Sequence, residues 1–110
     1  MLYELSYPTL ASCGLWLDFE RFESLSDGNH VPLTLTEFKI LSILLRRDGC
    51  VVTRGQLLKE VAPNHNIIER NIDVHIQSIR RKLGIKGKLI RTVRGLGYRW
   101  DETLLDKCYA

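Results

Sequence analysis

The run Asn71-Ile72-Asp73-Val74-His75-Ile76-Gln77-Ser78-Ile79-Arg80-Arg81-Lys82-Leu83-Gly84 decides how the rest of this 110-residue chain is read. Set at ~100° steps around a helix, Ile72, Ile76, Ile79 and Leu83, with Ile68 upstream, fall on one narrow apolar stripe. That stripe has to face a core. The opposite stripe holds Arg70, Val74, Gln77, Ser78 and Arg81, flanked by Asn71, His75 and Lys82, and carries no acidic residue. Asp73 and Arg80 fall nearer the core edge. A surface helix ordinarily mixes both signs. One that offers guanidinium groups, amides and a hydroxyl without a carboxylate has the donors that phosphates and base edges accept. The helix is expected from about Ile67 to Leu83, with Gly84 past its end. Two residues stay open on this reading. Val74 is either a tolerated surface apolar residue or a contact for a thymine methyl group. His75 is either a packed edge residue or a phosphate donor.

Such a helix needs partners in front of it and behind it. Upstream, Thr34-Leu35-Thr36-Glu37 has the form of a capping box, in which the threonine hydroxyl accepts from a free N–H and the glutamate reaches back. The run Phe38 to Leu45 is apolar on most faces, so this helix should be the buried centre, ending at Asp48-Gly49. Val51-Val52 suggests a short strand. Thr53-Arg54-Gly55-Gln56 is a second capping box, opening a helix to about Val61 that Pro63 stops. Asn64-His65-Asn66 reads as a loop. Two helices joined by a turn, the second exposing a donor-rich face, make a helix-turn-helix.

Downstream, Leu89-Ile90-Arg91-Thr92-Val93-Arg94 and Tyr98-Arg99-Trp100 read as a hairpin over 88–100, with Gly95-Leu96-Gly97 supplying positive backbone angles at its turn. Arg94 stands at the tip. A forked cation there suits a minor groove, where narrow A·T-rich stretches concentrate negative potential. The plainer alternative is that it screens the tip or packs on Tyr98. Residues 9–34 read as strands. Leu15 to Leu25 is aromatic and branched with rough period-two alternation, and Asp27-Gly28-Asn29 turns into His30-Val31-Pro32-Leu33. Trp16 and Trp100 read as core. The expected layout is a segment 1–8 that is flexible or a linker remnant, one domain over 9–101, and a tail over 102–110.

Composition fits one globular domain, at 45% apolar and 26% charged. Net charge is +3, but its distribution is uneven: residues 1–45 carry −4, residues 46–100 carry +9 and the last ten carry −2. A basic C-terminal half is the footprint of a phosphate-binding surface. No apolar run reaches the ~18 residues of a membrane helix, and no secretion signal is read at the start. Cys13, Cys50 and Cys108 are odd in number and far apart, so idle thiols in a reducing cytoplasm are expected. His30, His65 and His75 have no partner at ligand spacing, and no nucleophile motif is present. Neither a metal nor a cofactor is expected, and the enzyme reading lacks any constellation to carry it.

The quoted run, together with Ile90-Arg91-Thr92-Val93-Arg94-Gly95-Leu96-Gly97-Tyr98, Leu33-Thr34-Leu35-Thr36-Glu37-Phe38 and Val51-Val52-Thr53-Arg54-Gly55-Gln56-Leu57-Leu58, closely resembles the effector domain of OmpR/PhoB-type response regulators over about residues 10–100. The resemblance implies an α+β winged helix-turn-helix: an N-terminal four-stranded antiparallel sheet, three helices and a C-terminal β-hairpin wing. It implies transcription control in a two-component system, by sequence-specific binding of double-stranded DNA at paired half-sites. By position it assigns Arg70, Asn71, Val74, Gln77 and Ser78 to bases in the major groove. Thr53, Arg54, His75, Arg80 and Thr92 go to the DNA backbone, joined by Arg81 and Lys82 from the charge pattern, and Arg94 goes to the minor groove. It further implies a homodimer on DNA and contact with RNA polymerase through loop 62–69.

Departures are visible. Many relatives carry arginine where Gln77 and Ser78 stand, so base preference does not transfer. Ala62-Pro63 replaces a frequent Trp-Gly, and the short loop after it weighs against the usual polymerase contact. Nothing in the chain reads as the receiver domain with which family members begin. The expectation is therefore an excised effector domain or a regulator that works without phosphorylation. The competing function is a protein-interaction or dimerisation winged helix with only non-specific affinity for DNA.

Overall fold

The computed structural model describes residues 9–62 and 69–104. Four antiparallel strands come first: β1 (Thr9–Ser12), β2 (Leu15–Asp18), β3 (Glu23–Ser26) and β4 (Asn29–His30), paired in that order. Then follow α1 (Leu35–Arg46), β5 (Val52–Thr53), α2 (Arg54–Val61), α3 (Glu69–Leu83), a 3-10 segment (Gly84–Leu89), β6 (Ile90–Val93) and β7 (Gly97–Trp100). The last three strands form a second sheet in the order β5-β7-β6, so Val51-Val52 does lead into a strand, and it extends the wing.

Both capping boxes form. The Thr34 hydroxyl accepts from the Glu37 N–H at 3.2 Å and Glu37 Oε1 accepts from the Thr34 N–H at 2.9 Å. Thr53 and Gln56 repeat the arrangement at α2. The central position expected for α1 holds: Phe38, Ile40, Leu41, Ile43, Leu44 and Leu45 are all buried. Against it lie Leu15 and Leu17 of the sheet, Leu57 of α2, Ile72, Ile76 and Ile79 of α3, and Ile90, Tyr98 and Trp100 of the wing. No helix among the described residues is long and apolar enough to cross a membrane.

Four expectations need correction or limits. The stretch from Leu15 to Leu25 is not one strand. Asp18 ends β2 by accepting from the backbone N–H of Glu20 and Arg21, at 2.9 and 3.1 Å, and the turn swings Phe19 and Phe22 edge-on to Phe38. Trp16 is not core but 52% exposed, because alternation turns its neighbours Leu15 and Leu17 inward and leaves it on the outer face of the sheet; Trp100 is buried as expected. The wing strand begins at Ile90 rather than near 88, since residues 84–89 coil into the 3-10 segment after Gly84 takes the left-handed conformation at φ +65°. The start of the third helix at Ile67, the stripe member Ile68, the loop after Pro63, and segments 1–8 and 105–110 lie outside the described residues.

Gly97 is needed for a different reason from the one its turn position suggested. Only Gly95 of the pair has positive φ, at +79°. Gly97 is a strand residue paired with Thr53 and Val93, and a Cβ there would lie 2.1 Å from the Val52 carbonyl oxygen. Gly97→Ala should therefore push β5 off β7 and cost roughly 3 kcal/mol or more. Gly28→Ala, at φ +86° with open space around it, should cost only the ~1–2 kcal/mol of a left-handed backbone. Urea unfolding of the two variants tests the difference, and equal losses would refute the close β5–β7 approach.

Candidate nucleic-acid interface

The outward face of α3 is built as its periodicity requires. Ile72, Ile76 and Ile79 are fully buried, and Val74 on the other side is 65% exposed. Asn71, Gln77 and Arg81 are exposed with it; His75, Ser78 and Lys82 are half-buried along one margin. The side chain of Arg70 lies outside the described residues. At the wing, Val93 accepts from the Leu96 N–H at 2.9 Å, closing a turn around Arg94 and Gly95, and Arg94, Gly95 and Leu96 are all exposed. The cations lying over the Tyr98 ring are Arg54 and Arg80, with guanidinium carbons 5.1 and 5.6 Å from its centre.

Two carboxylates fix α3, one on each flank. On the first flank is Glu37 of α1, only 3% exposed. Its Oε1 accepts from the Lys82 ammonium at 2.7 Å and its Oε2 from the Ser78 hydroxyl at 2.6 Å, in addition to its capping bond. Burial pushes its pKa up, but the donors Lys82, Ser78 and the Thr34 N–H outweigh that and hold it down at about 2. On the second flank is Asp73 of α3 itself. It accepts from Arg54 Nε at 2.7 Å and from the Tyr98 hydroxyl. Burial opposes ionisation of Asp73, and these two donors together hold it below the usual carboxylate range.

The wing root is tied to the same helix. Arg80 donates to the Ile90 carbonyl from Nη2 at 2.6 Å and from Nε at 3.2 Å, and to the Thr92 hydroxyl at 2.9 Å. Gly87 lets the 3-10 segment approach, because a Cβ there would lie 2.4 Å from the Arg80 carbonyl oxygen. Arg91 and Arg99 share Asp101, at 3.3 and 3.5 Å.

The residues singled out in the sequence thus divide. Asn71, Val74, Gln77, Arg81 and Arg94 present free outer surface. Thr53, Arg54, Ser78, Arg80, Lys82 and Thr92 are joined into the fold by the bonds just described, and Thr53 caps α2. Sequence reasoning saw Glu37 only as half of a capping box and placed Asp73 merely near the core edge. For Asp73 the available signal was a lone carboxylate within a run otherwise rich in donors; for Glu37 the local sequence shows only the capping box, because its partners Ser78 and Lys82 lie more than 40 residues away. Among the described residues no cluster of histidine, cysteine and carboxylate could hold a metal ion.

Comparison with known proteins agrees with this architecture. The profile of the family described as "Transcriptional regulatory protein, C terminal" matches residues 28–100. The phosphate regulon transcriptional regulatory protein PhoB of Pseudomonas aeruginosa is 38% identical over 90 residues, covering 80% of this chain and 39% of that protein. The crystal structure of the DNA-binding domain of CpxR from Escherichia coli is 37% identical with a TM-score of 0.77, covering 86% of this chain and 97% of that one. The DNA-binding domain of the response regulator AdeR, solved in complex with an intercistronic region, is 32% identical with a TM-score of 0.76, covering 84% and 98%. The fold is a winged helix-turn-helix, and the chain spans about two fifths of the length of the curated relatives it matches.

The Glu37 ion pair has a pH signature. A carboxylate whose folded pKa is depressed adds stability that is complete above its unfolded value and is lost as pH falls toward the folded one. Here the window runs from 4.5 down to about 2. Glu37→Gln should remove on the order of 2–3 kcal/mol of acid sensitivity across that window and lower stability at neutral pH. Unfolding free energies at pH 7 and pH 3 measure both. A variant as acid-sensitive as the parent would show that Glu37 is not the titrating group.

Proposed function

Since this chain belongs to the transcriptional-regulator C-terminal family of OmpR/PhoB type, we propose that it binds double-stranded DNA by sequence, with α3 in the major groove and the wing tip in the adjacent minor groove. The family is one of transcription-regulatory domains and not of enzymes. The observation that carries the proposal is the outward face of α3, on which exposed Asn71, Val74, Gln77 and Arg81 stand together without a carboxylate. Amides and a guanidinium at that position match the major-groove pattern of donors and acceptors, and the exposed Val74 suits a thymine methyl. Arg70 joins the base-reading set by its place in the sequence. Arg81 is the phosphate ligand of the helix, with His75 at the margin.

Thr53 caps α2 with its own N–H held by Gln56, and in this reading it serves a phosphate by opening the helix whose next N–H groups, at Arg54 and Gly55, face the DNA backbone in the manner of helix N-termini. Arg54 and Lys82 act in this reading chiefly by holding α2 and α3 in register, because their charges are paired with Asp73 and Glu37; Arg80 ties α3 to the wing through the Ile90 carbonyl and the Thr92 hydroxyl, which leaves its positive charge and the Thr92 hydrogen for the DNA backbone. Arg94 enters the minor groove. Two copies of the chain bind paired half-sites about one DNA turn apart; Ala62-Pro63, in place of the frequent Trp-Gly, alters the segment 62–69 that the family resemblance assigns to RNA polymerase. The setting is cytoplasmic, in a two-component pathway. Residues 9–101 form the binding unit.

Selection from a random duplex pool at two salt concentrations tests the core of the proposal. A repeated motif is expected, and salt-sensitive binding without enrichment would reduce the interface to charge attraction. Arg81→Ala should weaken binding on all sequences and flatten the salt slope by roughly one unit. Gln77→Ala and Asn71→Ala should each relax preference at one base by ~1–3 kcal/mol. Arg94→Ala should cost most on A·T-rich flanks; equal loss on every flank would remove the minor-groove assignment.

A further inference from the structure

The Ser78 hydroxyl has one hydrogen and two lone pairs. Its hydrogen is already committed. Ser78 Oγ donates to Glu37 Oε2 at 2.6 Å, and that carboxylate is buried beneath α3, where it also accepts from Lys82 and the Thr34 N–H. An ionised carboxylate has no proton to return, so the direction of this bond is fixed. To donate elsewhere, Ser78 would have to break a charge-assisted bond and leave a buried carboxylate oxygen unpaired. What Ser78 retains toward solvent is lone-pair capacity. The Arg81 guanidinium reaches it only at 3.4 Å, from an exposed arm that a phosphate can draw away.

From this geometry we infer that Ser78 reads DNA as a hydrogen-bond acceptor alone, and so faces an exocyclic amine: the N4 amine of cytosine or the N6 amine of adenine. The inference rests on the major-groove reading given above. A serine ordinarily serves either kind of partner. Here a residue of another helix removes that ambiguity. Phosphate oxygens, the O6 and N7 of guanine and the O4 of thymine all require a donor, and Ser78 has none to give. Glu37 is thereby a positioning residue for specificity, acting through Ser78 without touching DNA.

The test uses the full chain and its own selected duplex. Each adenine in turn is replaced by purine, which lacks the N6 amine, and each cytosine by 2-pyrimidinone, which lacks the N4 amine. Loss of one particular amine should weaken the parent roughly three- to tenfold. Ser78→Ala should show the same loss on the intact site and no further loss on the amine-free one. Any softening of the duplex by the altered base is common to both proteins and cancels. Glu37→Gln, whose amide can donate to Ser78 and release its hydrogen, should newly accept guanine or thymine at that position.

A Ser78→Ala variant coupled to no amine, or coupled to an acceptor of guanine or thymine, overturns the inference. If Glu37→Gln fails to fold, the Ser78 and amine cycle decides alone. If selection yields no motif at all, the DNA-binding reading fails and this inference falls with it. A motif without a coupled amine removes only the inference.

Discussion

A negative charge under the edge of a helix holds this molecule together where it matters. Glu37 is a carboxylate placed out of water, which is costly unless donors surround it. Three donors do, and two of them, Ser78 and Lys82, belong to α3. The same side chain also completes the cap of α1. One residue therefore sets the start of the central helix and its contact with the helix that crosses it. Asp73 mirrors it on the other flank, through Arg54 of α2 and Tyr98 of the wing. Both acids are turned toward neighbouring elements. The exposed face between them is left to neutral and cationic groups. Clamping the helix and clearing its outer face of negative charge are here the same act.

Much of this was legible in the chain because it is periodic. The isoleucine spacing of α3 names its inner face without any coordinates, and the two Thr-x-x-Glu/Gln boxes mark where α1 and α2 begin. What failed were features that periodicity cannot distinguish. Aromatic residues at Phe19 and Phe22 prolong a strand-like pattern through what is a turn, and the signal that breaks it is the single carboxylate of Asp18 reaching two N–H groups. A tryptophan at position 16 suggests core, yet its two neighbours are leucines that take the inner face. The Gly95-Leu96-Gly97 spacing suggests a turn role for Gly97, although its necessity arises from a strand 44 residues earlier in the sequence, at Thr53.

The interface was legible to the same depth and no further. The face of α3 follows from local spacing, so Asn71, Val74, Gln77 and Arg81 could be named. Which cations are already paired with a carboxylate depends on groups 10 to 45 residues away, as with Arg91 and Asp101 or Lys82 and Glu37. Charge counting overstates the free positive surface of residues 46–100 for this reason. Arg54, Lys82, Arg91 and Arg99 each have a carboxylate partner, and Lys86 is buried 3.0 Å from Asp27. Only a free cation can exchange its counterions for phosphates without first losing a partner.

The wing shows how such pairing serves geometry. An isolated two-stranded hairpin is marginal in water. This one gains a third strand from β5, a buried Trp100 at its base and the Arg80 guanidinium bonded to two of its residues. Arg54 and Arg80 both lie over the Tyr98 ring and its hydroxyl bonds to Asp73, so the residue joins α2, α3 and β7 at one point. Because β5 pairs with Gly97 and Tyr98, next to the turn, these ties run the length of the two strands. Beyond Val93 the chain has a glycine turn and exposed side chains. Ties along both strands fix the distance between wing and helix, which the proposed binding of two neighbouring grooves demands. In the proposed reading, a tip bound only through its own turn leaves Arg94 to follow the local width of the minor groove.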